Sequence, residues 1–574
     1  MDYYKTFHYW KTNNFFDKAI RDELSALDPV ADAKEIEDRF YQDIEFGTGG
    51  LRGVMGAGTN RINKYTVGKA TKGLADYLLK IYGRDVCRNR GVVIGYDTRN
   101  NSKYFSEIAA NVLSSAGIRV YLHTDARPTP QLSFSVKFYN ALAGVVVTAS
   151  HNAKEYNGYK IYDEFGCQLV PAQAKQVKDF VNAVVDYEII DFRGNRSLIQ
   201  MVDVTDCMVD AVLKQSRNSD MTAKEELHII YTPLYGTGNI PVTKALLLDG
   251  FKVEYVEEQA MPNGNFPTVA SPNPEDRRSL LLGIEHAERT GADIVLGTDP
   301  DCDRVGVAVK TMNIKNGTLE YQLITGNQMG ALLTDYVLSH TNLCKIKNPA
   351  IVKTVVSSEL GADIAKKHGV AVFSTLTGFK YIGEKITQFE KSRMSGGNRA
   401  QDYTFILGYE ESYGYLIGTH ARDKDAIVAS MLICEMAAEY KAQGKTLIDR
   451  MNEIYEEYGF YRDALDSFTL KGKDGLDKIS SMMGELRSGG SPFEDTEVII
   501  DYSCPVEAEK GFGTLPTSNV LKYVLTDGSW LAIRPSGTEP KIKIYYSIKG
   551  ASKDSAEKKL KRTQDMIQMR LDLG

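Results

Sequence analysis

Val145-Val146-Val147-Thr148-Ala149-Ser150-His151-Asn152 is a β-branched apolar run that stops abruptly in small and polar residues. A strand buried on both faces reads as such a run, and the turn past its carboxyl end is where open α/β sheets place their chemistry. Ser150 in that turn has two readings, a nucleophile or the N-cap of a following helix. Working outward, residues 91–97 predict a strand, 104–116 a helix stopped at Gly117, 118–122 a second strand and 143–147 a third. Strands alternating with helices imply a parallel sheet covered on both faces.

The same scheme recurs twice. Residues 227–231 open a second unit, 251–256 continue it and 293–297 close it; residues 351–356, 370–373 and 403–407 do the same in a third. Each closing strand runs into a polar loop: Thr148-Ala149-Ser150-His151, Thr298-Asp299-Pro300-Asp301, and Gly408-Tyr409-Glu410-Glu411. A repeat whose equivalent loops all carry reactive side chains is not explained by packing alone. Past about residue 455 the pattern changes. Residues 521–525 and 530–533 flank Asp527-Gly528, a strong hairpin signal. Residues 541–546 alternate with period two, and 552–573 form a basic amphipathic helix expected to pack on its own sheet. The fold class is therefore α/β: three related α/β domains with mixed, mainly parallel sheets and a smaller C-terminal α+β domain. The chain before Phe40 reads as helical.

Four loops carry candidate chemistry. Asp299-Pro300-Asp301-Cys302-Asp303-Arg304 spaces three carboxylates at alternate positions, a donor set suited to Mg²⁺ or Ca²⁺. An EF-hand is excluded because Arg304 and Lys310 stand where its Gly and Glu belong. The D-x-D loop of haloacid-dehalogenase-like phosphatases is disfavoured by Asp303, where that family has Thr or Val. Arg534-Pro535-Ser536-Gly537-Thr538-Glu539-Pro540-Lys541 has the composition of a phosphate clamp, or of a proline-bounded connection. Glu410-Glu411-Ser412-Tyr413-Gly414 suits sugar hydroxyls, with Thr377-Gly378-Phe379-Lys380 upstream able to add a cation. Phe46-Gly47-Thr48-Gly49-Gly50-Leu51-Arg52-Gly53 fails the dinucleotide fingerprint at Arg52; it reads as a glycine-rich loop aiming amides and one guanidinium at an anion, or as a flexible turn.

Composition narrows the partners. At 574 residues the chain needs several cores, and a net charge of −6 supplies no polybasic footprint for nucleic acid or an anionic membrane. No apolar run reaches the ~18 residues of a membrane span, and the first residues hold no apolar signal core. Seven cysteines without a C-x-x-C pair point to a reducing compartment, so a cytoplasmic location is expected.

Taken together and in this order, the loops resemble the α-D-phosphohexomutase superfamily, from Thr48 through Lys541, and most closely its phosphoglucomutase and phosphopentomutase branch. The resemblance implies four domains, 1–205, 206–322, 323–455 and 456–574, carrying the phosphoserine, metal, sugar and phosphate loops in turn, the last being TATA-binding-protein-like. It implies that Ser150 is a phosphoserine whose phosphate, with Asp299, Asp301 and Asp303, holds Mg²⁺ while Arg304 steadies the phosphoryl group. Glu410 and Ser412 would grip sugar hydroxyls beside Thr377 and Gly378, and Arg534, Ser536, Gly537 and Thr538 the non-reacting phosphate. Arg52, His151, Lys160 and Lys380 are the implied candidates for proton transfer and charge stabilisation. The expected reaction interconverts glucose 1-phosphate and glucose 6-phosphate through glucose 1,6-bisphosphate, with small sugar phosphates, and neither nucleic acid nor a membrane, as partners. Mannose or pentose phosphates, a metal-dependent phosphatase and a non-catalytic sugar-phosphate binder are the alternatives. Ala153 and Tyr409 depart from the family pattern without removing a ligand.

Overall fold

The computed structural model describes residues 2–47, 49–312, 317–394, 402–470, 472–536 and 541–571. The chain divides into two compact units, Met1–Leu323 with Gly414–Ala438, and Ile324–Tyr413 with Glu439–Gly574.

The first unit opens with helices Tyr3–Thr12, Lys18–Ser25 and Ala33–Phe40, as the helical spacing predicts. They bury one aromatic cluster in which Trp10 stacks on Phe16 at 4.3 Å and meets Phe40, Tyr65 and Tyr187 edge-on. A six-stranded sheet follows, ordered Gly50–Val54, Tyr156–Tyr162, Ala143–Val147, Val92–Tyr96, Val120–His123 and Ile199–Val202. Its last four strands are parallel; Tyr156–Tyr162 runs antiparallel to its neighbour Ala143–Val147, and Gly50–Val54 pairs antiparallel with Tyr156–Tyr162. The glycine-rich stretch is therefore not a loop throughout, because from Gly50 it is an edge strand. A side chain at Gly50 would place its Cβ 1.8 Å from the Tyr159 carbonyl oxygen, so only glycine permits that pairing. Ser150 caps no helix either; the chain leaves it through a turn into strand Tyr156–Tyr162. A five-stranded sheet comes next, ordered Leu319–Ile324, Val305–Met312, Ile294–Thr298, Ile229–Thr232 and Val253–Tyr255.

In the second unit, Ala371–Thr375, Pro349–Thr354 and Thr404–Glu410 are parallel neighbours. All three α/β sheets thus place the opening strand between the closing and the middle one, and the repeat read in the sequence is a repeat in space. In these three sheets strand ends differ from expectation by at most three residues, because apolar runs mark buried strand centres rather than their final hydrogen bonds. The C-terminal sheet is wholly antiparallel, ordered Phe460–Thr469, Lys541–Gly550, Trp530–Pro535, Leu521–Leu525 and Thr496–Asp501. Helices Gly472–Ser488 and Lys553–Arg570 bury Ile479, Met482, Met483, Leu486 and Ile567 on it, so the basic helix does pack on its own sheet.

A buried polar knot joins this sheet to the third α/β sheet. Lys522 donates to the Val355 carbonyl at 2.7 Å, lies 4.0 Å over the Trp530 ring and sits 3.7 Å from Glu359, which Lys353 pairs at 2.9 Å. Burial, then the like charge of Lys353, pushes the Lys522 ammonium down to about 7. Between that value and the ordinary lysine range the unfolded chain binds more protons than the folded one, so stability must rise with pH. The expected outcome is a melting temperature that climbs from pH 7 to 9.5, by up to ~1 kcal/mol of stability per pH unit, with the slope flattened in Lys522→Met. Equal slopes in the two proteins would contradict this account.

Candidate functional site

In each of the three α/β sheets the residue that turns the chain past the closing strand lies in the left-handed region: Ser150 (φ 52°), Cys302 (φ 52°) and Tyr413 (φ 61°). Non-glycine residues there cost on the order of 1–3 kcal/mol and persist only where the surroundings enforce them, commonly at functional loops. The two polar loops of the first unit meet. Ser150, 3% exposed, donates its hydroxyl to Asp299 Oδ2 at 2.8 Å, and its Oγ lies 3.1 Å from His151 Nδ1.

Asp299, Asp301 and Asp303 are all buried, with one carboxylate oxygen from each lying within 4.8 Å of the others, the single such cluster among the described residues. Asp299 Oδ1 accepts the amides of Asp303 and Arg304, both at 3.1 Å, which curls the loop around its own first carboxylate. Burial and then the charges of Asp301 and Asp303 drive Asp299 well above the usual carboxylate range. At Asp301 burial is opposed by Lys160, which pairs it at 3.1 Å, and by Asp299 and Lys424, which together hold its carboxyl low. Asp301 Oδ1 and Asp303 Oδ1 nevertheless remain buried without a hydrogen-bond partner. Three hard oxygen donors, two of them unsatisfied, fit a divalent cation of the Mg²⁺ type.

The other expected residues of this unit surround that loop. Arg304 pairs with Glu275 and approaches Asp303 at 3.7 Å. Exposed Arg52 lies within 3.4 Å of Asn152 Oδ1. Burial, then the guanidiniums of Arg304 and Arg52, holds the His151 imidazole well below its ordinary pKa, so it is neutral. Two further groups escaped the sequence reading. Lys424 binds Asp303 at 3.0 Å and Asp423 at 3.1 Å, and Asp423 accepts from Tyr162 at 2.7 Å. The run Arg422-Asp423-Lys424-Asp425 precedes a long apolar helix and looks like ordinary capping, which Asp425 does perform on the amides of Ile427 and Val428. Arg99 is the second, held under the Ser150 loop; nothing in its local sequence announces that position.

In the second unit Glu410, 6% exposed, accepts the Gly378 amide at 2.9 Å, so the Thr377-Gly378 loop and the Glu410-Glu411 loop are tied together. Glu411 accepts from Thr354 at 3.0 Å and Ser357 at 3.3 Å. Lys380 is buried on helix Phe379–Met394 with its ammonium 5.3 Å over Tyr381, and Ser412 lies in the turn after Glu410. Arg534 leaves strand Trp530–Pro535 beside Tyr545, whose hydroxyl is pushed up to about 12 by burial and then Glu411. The C-terminal clamp thus begins beside the acidic loop. Ser536 donates its amide to the Lys541 carbonyl at 2.7 Å, while Gly537 and Thr538 lie outside the described residues.

Comparison with known proteins agrees with this arrangement. Four family models match in order: phosphoglucomutase/phosphomannomutase alpha/beta/alpha domain I at residues 43–188, domain II at 208–313, domain III at 325–458, and the C-terminal domain at 495–562. A phosphoglucomutase of Staphylococcus aureus (strain MRSA252) is 37% identical over 543 residues, covering 92% of this chain and 94% of its own. One from Staphylococcus haemolyticus (strain JCSC1435) is 36% identical over 526 residues, covering 89% and 91%. Among solved structures, the open form of Paramecium parafusin (a phosphoglucomutase) superposes with a TM-score of 0.66 at 16% identity over 92% of this chain and 96% of that one. A phosphoglucomutase/phosphomannomutase family protein from Burkholderia thailandensis gives 0.65 at 17% over 92% and 97%; these two speak to the fold alone. With all four family domains matched in order and more than a third of its residues shared with curated relatives over nearly its whole length, the chain belongs to the phosphoglucomutase/phosphomannomutase family of α-D-phosphohexomutases.

Proposed function

We propose that this phosphohexomutase is Mg²⁺-dependent and interconverts glucose 1-phosphate and glucose 6-phosphate through a phosphoserine at Ser150 and a glucose 1,6-bisphosphate intermediate. The observation that carries the reading is the Ser150 hydroxyl, bonded to Asp299 at the head of a buried carboxylate cluster with two unsatisfied oxygens. Asp299, Asp301 and Asp303, with the Ser150 phosphate, would hold the cation, which when bound neutralises charge on the phosphoryl group. The segments 1–205, 206–322, 323–455 and 456–574 serve the phosphoserine, metal, sugar and distal-phosphate loops, and the cytoplasm is the location such chemistry suits.

The O6 hydroxyl of glucose 1-phosphate attacks the phosphoserine phosphorus. A P–O6 bond forms, the P–Oγ bond of Ser150 breaks, and the O6 proton is lost. His151, held neutral beside Ser150 Oγ, is positioned to take that proton, with Arg52, Lys160, Arg304 and Lys380 stabilising charge. The bisphosphate then turns end for end, and Ser150 Oγ gives up its proton and attacks the phosphorus at O1: a P–Oγ bond forms, the P–O1 bond breaks, and O1 takes up a proton as glucose 6-phosphate leaves. Glu410 and Ser412 hold sugar hydroxyls with Thr377 and Gly378 alongside, since carboxylates bond hydroxyls strongly and repel phosphate. Arg534, Ser536, Gly537 and Thr538 hold the phosphate that is not reacting. Excluding water while the phosphoserine waits suppresses its hydrolysis.

Ser150→Ala is expected to lose turnover of glucose 1-phosphate by on the order of 10⁴-fold or more, assayed with Mg²⁺ and a trace of glucose 1,6-bisphosphate; turnover at the wild-type rate would overturn the mechanism. Asp301→Asn is expected to weaken Mg²⁺ binding at least ~10-fold by calorimetric titration, and unchanged affinity would remove Asp301 from the ligand set. Initial rates with the 1-phosphates of glucose, mannose and ribose then test the substrate: the glucose ester should have the largest kcat/KM, and a larger value for another ester would reassign it.

A further inference from the structure

Asp97 and Arg99 stand at the end of strand Val92–Tyr96, buried to 2% and 3% exposure, in a motif the proposed reaction does not use. Their side chains pair at 3.4 Å. Around them, both backbone groups of Ser150 are committed. Its N–H donates to Thr148 Oγ1 at 2.8 Å, and the Thr148 hydroxyl donates in turn to Asp97 Oδ2 at 2.6 Å. Its C=O accepts from Arg99 Nε at 3.1 Å and Nη2 at 2.5 Å. The same guanidinium reaches the carbonyls of Asn152, Ala153 (2.9 Å) and Tyr156 (3.2 Å). All five N–H donors of the fork are thereby used, and the loop's carbonyl oxygens are drawn inward beneath it. Asp97 is itself fixed by Ser102 Oγ at 2.6 Å and the Arg99 amide at 3.0 Å.

The opposite side of the guanidinium is covered by the second α/β segment. Phe266, 2% exposed, lies 5.0 Å from it face-on. Asn100 bonds to Asn265 Oδ1 at 3.0 Å, and Ser271 donates to the His151 carbonyl. A side chain at Gly264 would lie 2.4 Å from the Asn100 amide nitrogen, so the two loops are in close contact.

We infer that Asp97, Arg99 and Phe266 form a positioning set for the nucleophile: by clamping the N–H and C=O of Ser150 they enforce its left-handed backbone, aim Oγ at Asp299, and turn carbonyl dipoles away from the face where phosphoryl charge develops. Ser150 at φ 52° has no glycine to relieve it, so the strain has to be met by contacts, and these are the contacts present. A lysine at position 99 keeps the charge but offers three donors on a compact head, which cannot span carbonyls spread over residues 150 to 156.

The inference rests on the proposed role of Ser150, and the test separates the two. In Arg99→Lys, kcat for glucose 1-phosphate at equal Ser150 phosphorylation, checked by intact mass, should fall by about 10²-fold, since a misplaced nucleophile slows the step. KM should stay within about threefold of wild type, because no ground-state contact to the sugar is removed. Amide hydrogen exchange over residues 149–156 should rise at least about tenfold, with the rest of residues 43–188 unchanged. A folded Arg99→Lys with wild-type kcat, or with unchanged exchange in that loop, overturns the inference. Should the wild-type protein turn over no sugar 1-phosphate, the mutase reading falls while the exchange result still decides whether Arg99 positions the loop. If Arg99→Lys does not fold, Phe266→Ala, which uncovers one face and keeps the ion pair, should lower kcat about fivefold at constant KM; an unchanged kcat there overturns the inference equally.

Discussion

Three carboxylates buried at the end of one strand are the constraint around which the first unit is built. Like charges so close, withdrawn from water, repel strongly unless cations offset them. The chain supplies part of that offset from distant places. Lys160 comes from strand Tyr156–Tyr162 and Lys424 from a loop more than a hundred residues downstream, each paired to the cluster within 3.1 Å. The offset is incomplete, since two carboxylate oxygens keep no hydrogen-bond partner and Asp299 stays driven toward its protonated form. A divalent cation would complete that balance, and the Ser150 hydroxyl sits beside the same cluster, bonded to Asp299.

The repeat is what makes such a cluster buildable. In all three α/β sheets the closing strand is parallel to its opening partner, and the turn beyond it is made by a non-glycine residue in the left-handed region. That geometry stops the strand sharply and presents the next side chains together instead of letting them alternate to opposite faces. What differs between repeats is the chemistry: a hydroxyl, a carboxylate triad, a pair of glutamates.

The glutamates illustrate how environment separates roles among identical functional groups. Glu410 accepts from the Gly378 amide and Glu411 from the Thr354 and Ser357 hydroxyls, whereas the aspartates face one another and lysines. Mutually repelling carboxylates invite a cation. Arg534, beside Tyr545, brings a compensating positive charge toward the acidic loop.

Sequence alone determined the architecture, because fully buried strands such as Val92–Tyr96, Ala143–Val147 and Ile294–Thr298 can only be written as unbroken apolar runs, and their threefold recurrence exposes the repeat. It also marked the reactive loops, since three aspartates at alternate positions after such a strand have no packing explanation. Only the tertiary structure decided that the glycine-rich stretch is an edge strand, that Ser150 begins no helix, and that Lys424 and Arg99 belong to the loops that matter. Those facts depend on pairings between residues far apart in the chain: Gly50 against Lys160, Lys424 against Asp303, Arg99 beneath four carbonyls of another loop. Local pattern records which residues must be buried; which charged group meets which is set by where the strands bring them, and a charged side chain reads the same in sequence whether it faces solvent or a buried carboxylate.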